Sequence, residues 1–79
     1  MMIITYDGNR AYNSRYIRSI QLRRNVGSAE MEIVADIDGV RGYVILYQVN
    51  IIDYPDGEDA IRNSYKRLID RLNGDEENA

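Results

Sequence analysis

From Ala29 to Ile51, apolar side chains fall on alternate positions on both sides of Asp38-Gly39, and this alternation predicts a β-hairpin. Asp-Gly between two such runs is a strong turn signal, because a type I′ turn needs positive φ at both central residues. Folding there puts Ile37 opposite Val40, Ala35 opposite Gly42, Ile33 opposite Val44 and Met31 opposite Leu46 on one continuous apolar face. The reverse face then sets Asp36 opposite Arg41, Val34 opposite Tyr43, Glu32 opposite Ile45 and Glu30 opposite Tyr47.

Arg15 to Arg24 reads as another strand. With Asn25-Val26-Gly27-Ser28 as a four-residue loop, Arg24 faces Ala29, Leu22 faces Met31, Ile20 faces Ile33 and Tyr16 faces Ile37. On the reverse face this register pairs Arg23 with Glu30, Gln21 with Glu32, Ser19 with Val34 and Ile17 with Asp36. Arg18 falls inward opposite Ala35, so it must snorkel past an edge or be turned by a bulge. Met2 to Tyr6 is a short β-branched and aromatic strand ended by Asp7-Gly8-Asn9, and Arg10 to Ser14 is either a loop or the return of a first hairpin. Pro55 cannot donate to a ladder, so the last strand stops by about Ile52. Asp56 is then placed to cap a helix, with Glu58 and Asp59 favoured by its dipole. Ile61, Tyr65, Leu68, Ile69 and Leu72 recur at helical spacing, Glu58 and Arg62 form an i,i+4 pair, and Gly74 marks a left-handed stop.

These elements predict an α+β fold: a four-stranded antiparallel β-sheet, a meander in its last three strands, with one C-terminal amphipathic α-helix packed on one face. Residues 1–74 form one domain and 75–79 an acidic disordered tail. The helix should lie on Tyr16, Ile20, Leu22, Met31, Ile33, Ala35, Ile37, Val40, Val44 and Leu46, approaching closely at Gly42. One apolar stripe covers one face. Ile17, Val34, Tyr43, Ile45, Tyr47, Val49 and Ile51 are left on the other, and an exposed apolar patch of that extent marks an interaction site.

Composition narrows what such a site can do. The 79 residues contain neither cysteine nor histidine, which removes disulfides, the usual zinc ligands, the commonest general base near neutral pH and every Ser-His or Cys-His nucleophile. The expectation is a protein that is not an enzyme and takes no cofactor, metal or small-molecule substrate. Asp36-x-Asp38-Gly39 echoes the start of a calcium loop, but no glutamate follows at the required spacing and Asp38 is accounted for by the turn. No apolar run reaches the length that spans a bilayer, so no membrane partner is expected and the location expected is cytoplasmic.

A net charge of −3 disfavours general nucleic-acid binding. The cations are arginine except for Lys66, and arginine with tyrosine is the pairing enriched in protein-binding hot spots. The predicted contact set is therefore Ile17, Arg23, Val34, Arg41, Tyr43, Ile45, Tyr47 and Val49, docking on a target protein or on a second copy as a homodimer. The alternative is a small RNA- or single-stranded-DNA-binding module in which Arg15, Arg23, Arg41 and the tyrosines stack bases; Glu30, Glu32 and Asp36 among the arginines oppose it.

In size and layout, four antiparallel strands then one helix, the chain resembles small phage-encoded or mobile-element inhibitors, some anti-CRISPR proteins among them, and the antitoxins of toxin–antitoxin pairs. The resemblance implies an inhibitor that works by binding a protein, and it carries no residue-level correspondence.

Overall fold

The computed structural model describes residues 1–25 and 27–78, the last four by their backbone alone. In chain order the elements are β1 (Met2–Ile4), β2 (Ala11–Asn13), a 3-10 turn (Ser14–Tyr16), β3 (Ile17–Arg24), β4 (Glu30–Ile37), β5 (Tyr43–Asn50) and α1 (Gly57–Asn78). The fold is α+β with a C-terminal helix packed on a sheet, but the strands form two sheets. β1 and β2 make a separate antiparallel hairpin, and β3, β4 and β5 form a three-stranded sheet with β4 in the centre. The expected single four-stranded sheet is corrected: Met2 to Tyr6 turns at Asp7-Gly8-Asn9 and pairs with the segment directly after it.

That local return has a visible cause. The Asp7 carboxylate accepts from the Thr5 hydroxyl at 2.5 Å and from the Asn9 amide at 3.0 Å, and Gly8 takes a φ of 75°. These bonds, the Thr5 hydroxyl's first, hold the Asp7 carboxyl below its ordinary pKa. The register Met2 to Asn13, Ile3 to Tyr12 and Ile4 to Ala11 then turns Ile3 and Tyr12 onto the main core.

β3 and β4 pair antiparallel, and from Ser19 to Arg24 the matches lie two residues along from the expected ones: Arg24 faces Met31, Leu22 faces Ile33, Ile20 faces Ala35 and Arg23 faces Glu32. A two-residue slip keeps each side chain on its face, so the division into an apolar and a mixed side holds while the partners change. The ladder ends at Arg24, and Asn25 and Ser28 organise the loop; Val26, within that predicted loop, lies outside the described residues. The bulge anticipated at Arg18 is present between Ile17 and Ser19. It swings Arg18 out to Asp38, at 2.5 Å, and sets Ile17 opposite Ile37 and against the core, so Ile17 does not face Asp36 on the mixed side. Tyr16, expected under the helix, is exposed in the 3-10 turn.

The β4–β5 connection is longer than two residues. The Val40 amide donates to the Ile37 carbonyl at 3.0 Å, with positive φ at Gly39 but not at Asp38. Positive φ at the second central residue alone suits a type II turn, not type I′. Gly42 also has positive φ, so β5 starts at Tyr43 opposite Asp36, and Arg41 lies in the loop rather than across from Asp36. A second bulge separates Val34–Ile45 from Ile33–Tyr47, with Leu46 as the extra residue. The odd insertion reverses the side on which later residues of β5 point.

The core gathers Met31, Ile33, Ala35, Ile37 and Leu46 from the sheet, Ile3 from the hairpin and Ile61 from α1, ringed by Tyr65, Leu68 and Leu72 of the predicted stripe. The Asp56 carbonyl accepts from the Ala60 amide, the first bond of the helix, so Asp56 occupies the N-cap position. The close approach is at Gly57, not Gly42. A Cβ at Gly57 would stand 2.8 Å from Val49 Cγ2, whereas one at Gly42 would meet nothing. α1 also continues through Gly74 to Asn78, so the expected stop at Gly74 gives way to about one further turn of helical backbone. Gly74 keeps negative φ, and a helical glycine costs only about 1 kcal/mol.

Candidate protein-binding site

Candidate contact residues sit along β5, the outer strand away from β3. Before the bulge, Tyr43 and Ile45 lie opposite Asp36 and Val34, on the side away from α1. After it, Tyr47 shares the parity of Val49, whose methyl lies against Gly57, and so points to the helix side. The aromatic and aliphatic groups therefore wrap the outer edge of β5 instead of covering one face. Tyr43 is 50 % exposed, Tyr47 39 % and Ile45 36 %.

The other predicted contacts separate physically. Val49 and Ile51 pack against the core, sent there by the Leu46 bulge, and Ile17 joins them through the bulge in β3. Val34 stays on the side away from the helix but is 0 % exposed, closed in between Gln21 and Ile45. Arg41 is exposed in its loop. Arg15 stands in the 3-10 turn, its amide held by the Asn13 side chain.

Arg23 is placed as a supporting residue. Its Nε lies 3.2 Å from Glu32 Oε1, and its guanidinium sits 5.5 Å from the centre of the Tyr43 ring. Glu32 is 2 % exposed, and the arginine is its charge partner. A buried carboxylate without one would be strongly disfavoured, so Arg23 secures Glu32 and backs Tyr43 together. Glu30, beside Glu32 on the same side, accepts from the Gln48 side chain.

Tyr6 belongs to the same surface, although nothing in the local sequence pattern points to it. It follows β1, donates its amide to the Ile45 carbonyl at 3.0 Å, and meets Tyr47 edge-to-face with ring centres 6.2 Å apart. The signal for it is a contact between residues 39 positions apart in chain, numbered 6 and 45, which periodicity does not encode. Nearby, Arg10 is raised above its ordinary pKa chiefly by its hydrogen bond to Tyr12, and Arg18 by Asp38.

Among the described residues no cluster of three acidic side chains could hold a metal ion, and no helix is long and apolar enough to cross a membrane. Comparison with protein-family models, with curated proteins and with solved structures finds no match in any of the three.

Proposed function

We propose that this chain is a non-enzymatic binding module that docks on another protein through the outer edge of β5, with Tyr43, Ile45 and Tyr47 in contact and Arg23 holding Tyr43 in place. The observation that carries the reading is a row of large side chains, each more than a third exposed, on an outer strand whose central neighbour is buried from Met31 to Ala35. Rigidly backed tyrosines offer contact area at small entropic cost, the property of hot-spot residues. Binding of this kind is how an inhibitor of the phage or antitoxin type, which the predicted layout resembles, would act. The RNA or single-stranded DNA alternative is less well supported, since Arg23 is engaged by Glu32 and its guanidinium occupies a face of Tyr43 that a base would need.

The test is the paired variant Tyr43→Ala with Tyr47→Ala, both at exposed sites. Circular dichroism should be unchanged, while capture of a partner from cell extract, or self-association measured by sedimentation, should fall at least tenfold, as loss of two hot-spot tyrosines implies with roughly 2 kcal/mol or more at stake. A folded double variant with the mass and partner capture of the parent chain would overturn the proposal.

A further inference from the structure

Where β5 ends and α1 begins, a cleft of about 700 Å³ opens beside Tyr47, a size suited to a small ligand or one side chain. Its walls are aromatic. Tyr6, Tyr47 and Tyr54 line it, and the Tyr6 and Tyr47 rings stand at 81° to each other, so they present two perpendicular surfaces. Among the described residues its charge is wholly negative: Glu30 and Asp56 line it and no lysine or arginine does. The positive end of the α1 dipole also opens here, but Asp56 at the N-cap position and Glu58 and Asp59 in the first turn offset it.

The third wall is held in place by local hydrogen bonds. The Asn50 side chain accepts from the Ile52 and Asp53 amides at 2.9 and 3.1 Å, the Tyr54 amide donates to the Asn50 carbonyl at 3.1 Å, and the Gly57 amide donates to the Tyr54 carbonyl at 2.8 Å. Tyr54 is thus fixed between strand and helix although its side chain is two-thirds exposed. A hydrogen-bonded loop that holds an exposed tyrosine over an acidic cleft has no use in the core of this fold.

Tyrosine faces and carboxylates attract the same kind of group. An ammonium on an alkyl stem gains from the ring quadrupoles, from the carboxylates and from apolar contact along the stem, whereas an anion is repelled and a neutral polar head loses the first two. We infer that this cleft receives a lysine side chain of the protein that docks on the adjoining edge of β5. The bearer of that lysine rests on the docking proposed above; the chemistry of the cleft stands on its own lining.

The experiment is a titration of the full chain followed by amide NMR, with N-acetyl-lysine methylamide as the probe and its Nε-acetylated form as the neutral control. Saturable shifts at Tyr6, Tyr47 and Tyr54 are expected with the charged probe, and binding at least about fivefold weaker with the neutral one, the scale of a cation held by aromatic faces. Tyr54→Ala and, separately, Glu30→Gln should each weaken the charged probe by about threefold or more without changing the rest of the spectrum. Equal binding of the two probes, no saturable response to either, or a response to tetramethylammonium alone would overturn the inference, the last because it would assign the cleft to a free quaternary ammonium compound. The titration requires no partner protein. It can fail while Tyr43→Ala, a change outside the cleft, still weakens docking, and the reverse, so failure of the cleft and failure of the docking edge are read separately.

Discussion

The two sides of β4 are both closed from water, and they are closed by different means. On one side Met31, Ile33, Ala35 and Ile37 lie beneath α1 and the β1–β2 hairpin, against Ile61, Ile3 and the rings of Tyr12 and Tyr65. On the other, Val34 and Glu32 are as deeply buried, yet neither belongs to the core cluster that the sheet shares with α1 and the hairpin. What closes that side is the flanking strands' own side chains: Gln21 and Ile45 beside Val34, Arg23 and Gln48 beside Glu32. A central strand can thus be sealed by neighbours that keep their outer surfaces in water. The helix side spends its apolar residues inward, while the other presents Tyr43 and Ile45 outward as the by-product of covering Val34.

The sharpest contrast between the two sides should come from truncating one residue on each. Ile61 is 0 % exposed and seals the helix side, so Ile61→Ala should lose about 2–5 kcal/mol in urea unfolding. That is enough to unfold much of a chain this small. Val34→Ala removes two carbons from a site walled by Gln21 and Ile45, on outer strands that are themselves partly in water. Its cost should be smaller, about 1–2 kcal/mol. If Val34→Ala equals or exceeds Ile61→Ala, the second side is packed as rigidly as the first and the distinction fails.

Next in size is Arg23→Ala, which acts on the second side alone. It leaves the buried Glu32 carboxylate without its charge partner and should destabilise by about 1–3 kcal/mol in the same assay, the lower part of the range being expected because the Arg23 side chain is 43 % exposed. Adding Glu32→Gln should recover part of that loss, since the amide needs no counter-charge. A double variant no more stable than Arg23→Ala would show that the arginine acts through its packing on Tyr43 instead.

The division of β4 into two sides was legible in the sequence because side-chain alternation survives a slip of two residues in either register. What was not legible came from insertions of one. The Leu46 bulge sends Tyr47, Val49 and Ile51 to the helix side, and the bulge at Arg18 draws Ile17 into the core. For Arg18 a clue existed, a charge at an inward position; for Leu46 none did, because an extra leucine in an apolar strand breaks no pattern. The Asp38-Gly39 signal was real as a turn but misjudged in kind, since Gly42 supplies a second positive φ three residues on and lengthens the loop. Tyr6 entered the candidate surface only through a tertiary contact, its amide bond to Ile45, and Tyr54 through the local turn that Asn50 anchors.

The smallest effect concerns what holds the first of those bulges. Arg18 and Asp38 are paired at 2.5 Å, but their side chains are 60 % and 61 % exposed, and ion pairs so wet contribute little. Ile17, by contrast, exchanges solvent for the core when the extra residue turns Arg18 outward. Burial of the isoleucine should therefore dominate, and Arg18→Ala should shift stability by no more than about 0.5 kcal/mol, the shift vanishing in high salt. A loss above about 1 kcal/mol that persists in salt would mean that the Asp38 contact, and not Ile17, sets where β3 bends and which side of β4 the isoleucine covers.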